Sequence, residues 1–522
     1  MRLLNPRTLE FKEFNQDLPQ YAIFSHTWYS QPLSEILYHD IKNYFSGRVE
    51  IGPNGLIANT SAYPTIPPAL QKVVWCCQQT ILDGFEWIWI DTCCLNKDSA
   101  VEDSEAVNAM FTWYRNAMTC YVYLSDVDIT TRLLRDRSGA FSNSKWFKRG
   151  WTLQELLAPP NVYFYDRGWQ LIGTKYSMKP HISTITTIDE ETLMNQRGLA
   201  ESSIARRMSW AARRETTRAE DIAYCLMGIF GVNMPLLYGE GAEKAFIRLQ
   251  EEIMRKSEDH TLFAWTSVDD GRTLQPGRKP RGPLALSPSE FASSADFTPT
   301  TDAKYPSEPY TMTNCGLEIS LPIVPDGDAY IAWLNCLDKD YQRVGIRIQE
   351  LKFEPRRYYR IDSNILIDNL PLPPPGRTLA YLKQGHGTNN NSFWLNTNLG
   401  SQGFGFRLVP EGRWKPEWNV IQLPVDSANP ASRRSTLVVE KPVPGTEQGF
   451  EIVFGFPPDD DDNPSCGVYP LLNGEPNLNH QLRHGVGYAW LKIGLYTIEV
   501  NVIRKDAVND LIVMCLEYES NY

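Results

Sequence analysis

The feature that most constrains this chain is an alternation in its first 170 residues. Short apolar runs, each ending in a polar loop, are separated by segments with helical apolar spacing. "QYAIFSHTW" (20–28), "EWIWIDTCCLNK" (86–97), "TCYVYLSDV" (119–127) and "NVYFYDRGWQLIG" (161–173) have the length and β-branched or aromatic content of buried strands. "IPPALQKVVWCCQQTILDGF" (66–85), with Pro at its start and Gly near its end, and "SEAVNAMFTWYRNA" (104–117) read as amphipathic helices, as does the segment at 151–158. Strands alternating with helices predict an α/β domain, a parallel sheet with flanking helices. Ligands of such sheets bind beyond the carboxyl ends of the strands. Ser25, His26, Trp28, Asp91 and Asn96 all fall at or just after such ends.

From about 200 to 265 the apolar spacing is helical, with "VNMPLLYGEG" (232–241) as a Pro- and Gly-marked link. After 266 the pattern changes. A loop, "DDGRTLQPGRKPRGP" (269–283), precedes short alternating runs such as "GLEISLPIV", "VGIRIQEL" and "GFEIVFGF", which predict an all-β C-terminal domain, sandwich or barrel. The expected division is 1–180 (α/β), 181–266 (helical extension) and 267–522 (β-rich). A chain of 522 residues is too long for one ordinary core, in keeping with that division.

The net charge of −11, with no basic stripe, disfavours nucleic acid as a partner. No apolar run is long enough for a signal peptide or a membrane span. Cys76-Cys77 and Cys93-Cys94 lie inside apolar runs and suit a buried, reduced core better than a disulfide framework. Without a CxxC pattern, no metal is called for, and a cytoplasmic protein is expected. "DDDD" at 459–462 lacks the spacing of a calcium loop, and "YGEGAEK" does not follow a strand as a phosphate loop would.

"RGWTLQEL" (149–156) carries two readings. Thr152 and Glu155 match a T-x-x-E capping box, in which both side chains satisfy free amides at a helix start. Alternatively, Glu155 stands at the first turn of a helix beside the strand ends, where one carboxylate in an aromatic-lined cleft stabilises developing positive charge. Asp91 either caps the turn after its strand, or binds a ribose hydroxyl or holds Asn96 and its loop in place. His26 and Trp28 are packing residues in one reading and ligand contacts in the other. The Cys93-Cys94 pair has no evident His partner and reads as structural rather than nucleophilic.

Taken together, "YAIFSHTW", "WIWIDTCCLNK", "AVNAMFTWYRNA", "CYVYLSDV" and "FKRGWTLQELLAP" resemble the HET (heterokaryon incompatibility) domain of filamentous fungi over roughly residues 21–170. "TTRAEDIAYCLMGIFGVNMPLLYGEG" extends the resemblance to about 265. The resemblance implies vegetative incompatibility, a regulated cell death after fusion of unlike fungal cells. It also implies a remote likeness to TIR domains. In TIR domains that cleave NAD the catalytic Glu lies in a W-x-x-x-E segment, a spacing that Trp151 and Glu155 reproduce. On that basis Glu155 is the expected catalytic carboxylate. Ser25, His26, Trp28, Asp91 and Asn96 would line the substrate site, Trp151 would pack under it, and Arg149 would meet a phosphate oxygen. NAD enters as substrate, with no cofactor. A protein activator and self-association are further expectations, and a non-enzymatic death-signalling module is the alternative.

Overall fold

The computed structural model describes residues 1–384 apart from 30–34, 48, 53–54, 59–67, 130–138, 268–280, 301–306, 328, 352–354 and 375, and beyond 384 the backbone of β-strands only. The N-terminal region opens with β1 (Arg2–Leu4), β2 (Phe11–Glu13) and β3 (Ala22–His26). A short helix α1 (Tyr38–Asp40) and a ribbon of β4 (Val49–Gly52) and β5 (Gly55–Ala58) lead to α2 (Pro68–Leu82). Then come β6 (Ile88–Trp89), α3 (Asp91–Cys94), α4 (Ala100–Asn116) and β7 (Thr119–Tyr123). The region continues with α5 (Lys145–Lys148), α6 (Thr152–Leu157), β8 (Val162–Tyr165) and β9 (Leu171–Thr174).

Seven of these strands form one sheet in the order β2-β1-β6-β3-β7-β8-β9. Its centre, β6-β3-β7-β8, is parallel. Both margins are antiparallel, β1 against β6 and β2 on one side and β9 against β8 on the other, so the sheet is mixed rather than parallel throughout. The expectation missed the margins for two reasons. "RLL" and "FKE" are three-residue strands too short for periodicity to register. "NVYFYDRGWQLIG" is two strands, because Asp166 accepts the amides of Gly168 and Gln170 and folds the chain back as a hairpin.

The alternation along β3 decides what the site contains. Phe24 and His26 stack on one another at 4.7 Å. On the same face, Tyr123 and Trp169 pack against Trp75 of α2. Ser25 points the other way, toward α5 and α6. All four neighbouring cysteines are buried free thiols. Burial drives the thiols of Cys76, Cys77 and Cys93 far up, away from the reactive thiolate.

The stretch from 200 to 231 is less helical than its spacing suggests. It breaks into α9 (Ile204–Ser209), α10 (Asp221–Tyr224) and α11 (Met227–Phe230), after α7 (Lys179–Thr186) and α8 (Glu190–Leu193). The polar run "RRETTRAE" leaves the helix because its backbone pairs elsewhere. Glu215 donates to Lys148 O at 2.7 Å and accepts from the Gly150 amide at 2.9 Å. Gly150 permits this approach: a Cβ there would stand 2.6 Å from Thr216 Cγ2. The helix α12 (Ala242–Met254) follows the "YGEG" link as read.

The C-terminal part is β-rich, with sheets of nine, six and four strands. Most of the loop expected to divide the chain (269–283) lies outside the described residues. On either side of it the chain is joined by Arg360, which is buried, stacks on Trp265 at 3.9 Å and donates to the carbonyls of Phe263 and Trp265. No helix among the described residues is long and apolar enough to cross a membrane.

Candidate functional site

Glu155 lies in the first turn of α6 and its carboxyl is buried. The capping box does not form. The residue before α6 is Trp151, in helical conformation, and no side chain caps it. Thr152 Oγ1 instead donates to the carbonyls of Trp146 and Arg149, and Glu155 Oε2 accepts from Ser25 Oγ at 2.5 Å. Ser25 Oγ in turn accepts from Trp146 Nε1 at 2.8 Å. The carboxyl is therefore spent on the end of the central strand, not on the helix start. Burial pushes it up to about 8, against the lowering effects of the Ser25 hydroxyl, Arg149 and Arg214; Asp91 adds to the rise.

Asp91 begins α3, just beyond β6. Its Oδ2 accepts from Trp28 Nε1 at 2.7 Å, and its Oδ1 accepts from the Thr92 amide. The carboxyl binds the indole and caps its own turn, as the capping reading of Asp91 expects. Trp28 stays 41% exposed, with Lys97 Nζ 5.7 Å from its ring. Asn96 is not drawn in: its side chain accepts from the Asp98 amide and shapes its own loop. It does not bond Asp91, contrary to that expectation.

His26 is buried on the opposite face from Ser25, with Nε2 3.9 Å from Glu35 Oε2 and Nδ1 3.8 Å from Asp91 Oδ1. Neither gap is a hydrogen bond. Both ring nitrogens and Glu35 Oε2 are buried without partners. Desolvation, with the charges of Lys72 and Arg149, drives the imidazole well below its ordinary value, so it is neutral. Trp151 donates from Nε1 to Asp221 Oδ2 at 3.1 Å, and Arg149 donates to Thr217 Oγ1 at 2.7 Å. Both of these lean on the helical extension, with Arg149 close enough to act electrostatically on His26 and Glu155.

Four further residues complete the cluster. Lys72 and Glu35 form a buried ion pair of 2.7 Å, and Glu35 also accepts from the Tyr29 amide. Tyr114 donates to Phe24 O behind the site, and Arg214 donates to Thr152 Oγ1 and Arg149 O. Only Lys72 left a signal in the sequence: with Ala69, Val73 and Cys76 it falls on the buried stripe of α2, where a lysine needs a partner. Glu35 sits in a loop with no periodicity. Among the described residues no group of three His, Cys, Asp or Glu side chains is placed to hold a metal.

A family model described as heterokaryon incompatibility protein (HET) matches residues 21–142, and a domain of unknown function (DUF8212) matches 244–330. The first match ends before Arg149, Trp151 and Glu155. The vegetative incompatibility protein HET-E-1 of Podospora anserina is 43% identical over 263 residues, covering 49% of this chain and 17% of that protein. This chain therefore spans under a fifth of that relative's length. No solved structure matches the chain. Over residues 21–142, within its N-terminal α/β region, the chain is similar to the heterokaryon incompatibility (HET) family.

Proposed function

We propose that this chain is an effector of heterokaryon incompatibility that acts by cleaving NAD at the nicotinamide–ribose bond, with Glu155 as the catalytic carboxylate. The observation that supports this most is a buried carboxyl at the carboxyl end of a central parallel strand, hydrogen-bonded to Ser25 rather than to its own helix. The TIR-like part of the reading rests on the Trp151-x-x-x-Glu155 spacing.

The leaving group is a neutral pyridine, so its departure needs no general acid. The C–N bond breaks with its electron pair going to nicotinamide, and the ribose becomes an oxocarbenium-like cation. An ionised Glu155 stabilises that cation. Water adds to C1′ and passes its proton to the carboxylate, giving ADP-ribose. Trp28 offers a stacking face for a planar ring.

Release of nicotinamide from NAD by the purified chain tests the reading. Because Glu155 works ionised and is held at about 8 in the free protein, kcat/KM is expected to rise with pH and level off above that value. No release at any pH or protein concentration would leave assembly or partner binding as the basis of cell death. Within the site, Asp91→Ala is expected to reduce cleavage more than His26→Ala, since it removes the carboxyl that holds the Trp28 indole. Thermal melts accompany both variants. If both fold and only His26→Ala is inactive, the assignment of Asp91 is wrong.

A further inference from the structure

We infer that Arg214, contributed by the helical extension, is a positioning residue for Glu155: it fixes the start of the helix that carries the carboxyl and keeps a positive charge beside it. The inference builds on the assignment of Glu155 as the working carboxyl.

Arg214 is buried, and its side-chain bonds are unusual for a buried cation. Nε donates to Trp210 O at 3.2 Å, and Nη1 donates to Arg149 O at 2.9 Å and Thr152 Oγ1 at 3.0 Å. None of these acceptors is a carboxylate. A buried charge without a counter-ion is unfavourable and is retained where something depends on it. Here burial lowers the guanidinium to about 10, and the neighbouring Cys225 and Glu155 oppose the fall.

The geometry explains the dependence. Arg149 O and Thr152 Oγ1 are the two groups that close the turn from α5 into α6, and Thr152 is itself tied to Arg149 O. One guanidinium therefore pins both ends of that turn, three residues before Glu155. The backbone exchange between Glu215 and 148–150 seats Arg214 where it can do so. The HET-family match ends at 142, yet the carboxyl is oriented from 214, so the working unit includes the helical extension.

The charged and titratable groups around Glu155 come from every packed element: Asp91 of α3, Tyr114 of α4, Cys120 of β7, Arg149 of the α5–α6 turn and Arg214. Ser25 of β3 is the hydrogen-bond partner. Arg149 is shared with Thr217 and partly exposed, which leaves Arg214 as the cation fixed by burial.

The test uses the full chain with Arg214→Met and Arg214→Lys, each with and without Glu155→Gln. Two readouts report the ionisation of Glu155: the pH midpoint of NAD cleavage, and the pH at which the Glu155→Gln effect on Tm levels off. Arg214→Met is expected to move both upward. Arg214→Lys, which keeps the charge but loses the Nε bond to Trp210 O that aims the side chain, is expected to hold the midpoints and lower kcat. Unchanged midpoints in Arg214→Met, with Tm alone reduced, would overturn the proposal. If that variant does not fold, Arg214→Lys decides: a moved midpoint or an unchanged kcat overturns it. A wild type that does not cleave NAD defeats the functional reading, while the melting readout still decides on Arg214.

Discussion

Glu155→Gln is expected to abolish NAD cleavage, by roughly a hundredfold or more, and to stabilise the protein at alkaline pH. The first effect follows from losing the charge that meets the oxocarbenium ion, at near-constant shape. The second follows from linkage. The folded-state value of Glu155, about 8, stands above its ordinary 4.5. Between those values the folded chain holds a proton that the unfolded chain releases, so stability falls as pH rises. The contribution is complete below about pH 4.5 and is lost as pH climbs through 8. The substituted amide does not titrate. The variant should match wild type in Tm near pH 4.5 and exceed it by several degrees at pH 9, a difference on the order of a few kcal/mol. Loss of activity with gain of stability marks a residue kept for function. Cleavage at the wild-type rate would remove Glu155 from the mechanism. A Tm difference that ignores pH would mean the carboxyl is not held neutral by burial.

The sequence made the α/β core legible because its central strands are apolar on both faces and long enough to register. It also placed Ser25, Trp28, Asp91 and Glu155 at strand and helix ends, where the structure joins Ser25 to Glu155 and Trp28 to Asp91. What it hid has physical reasons. Both capping partners of "TLQE" were present, but Thr152 found nearer acceptors in the carbonyls of the preceding turn, which released Glu155. Asn96 follows a strand end like Asp91, yet its amide is consumed by its own loop. Neighbours 25 and 26 in sequence face opposite sides of the sheet, so their joint membership in one site depends on its lying over the sheet edge. Arg214 was illegible because long-range docking, not local pattern, gives it a role.

Lys72→Met is expected to be the most destabilising of the single changes considered. The ammonium is buried, 2.7 Å from Glu35 Oε1 and 4.3 Å from the Tyr29 ring centroid. Desolvation pushes both partners toward neutrality, Lys72 downward and Glu35 upward, and each restrains the shift of the other. The pair is thus expensive to form but more expensive to break. Removing the lysine leaves a buried carboxylate whose second oxygen already lacks a partner beside His26, at about 3–5 kcal/mol. Replacing both members, Lys72→Met with Glu35→Gln, removes the stranded charge and should recover a large part of that loss. The sign of this non-additivity separates a buried pair from two independent packing residues. Denaturant unfolding of the two singles and the double measures it. A Lys72→Met variant as stable as wild type, or a double variant whose loss equals the sum of the singles, would show that the pair does not hold Tyr29 and Glu35 against α2.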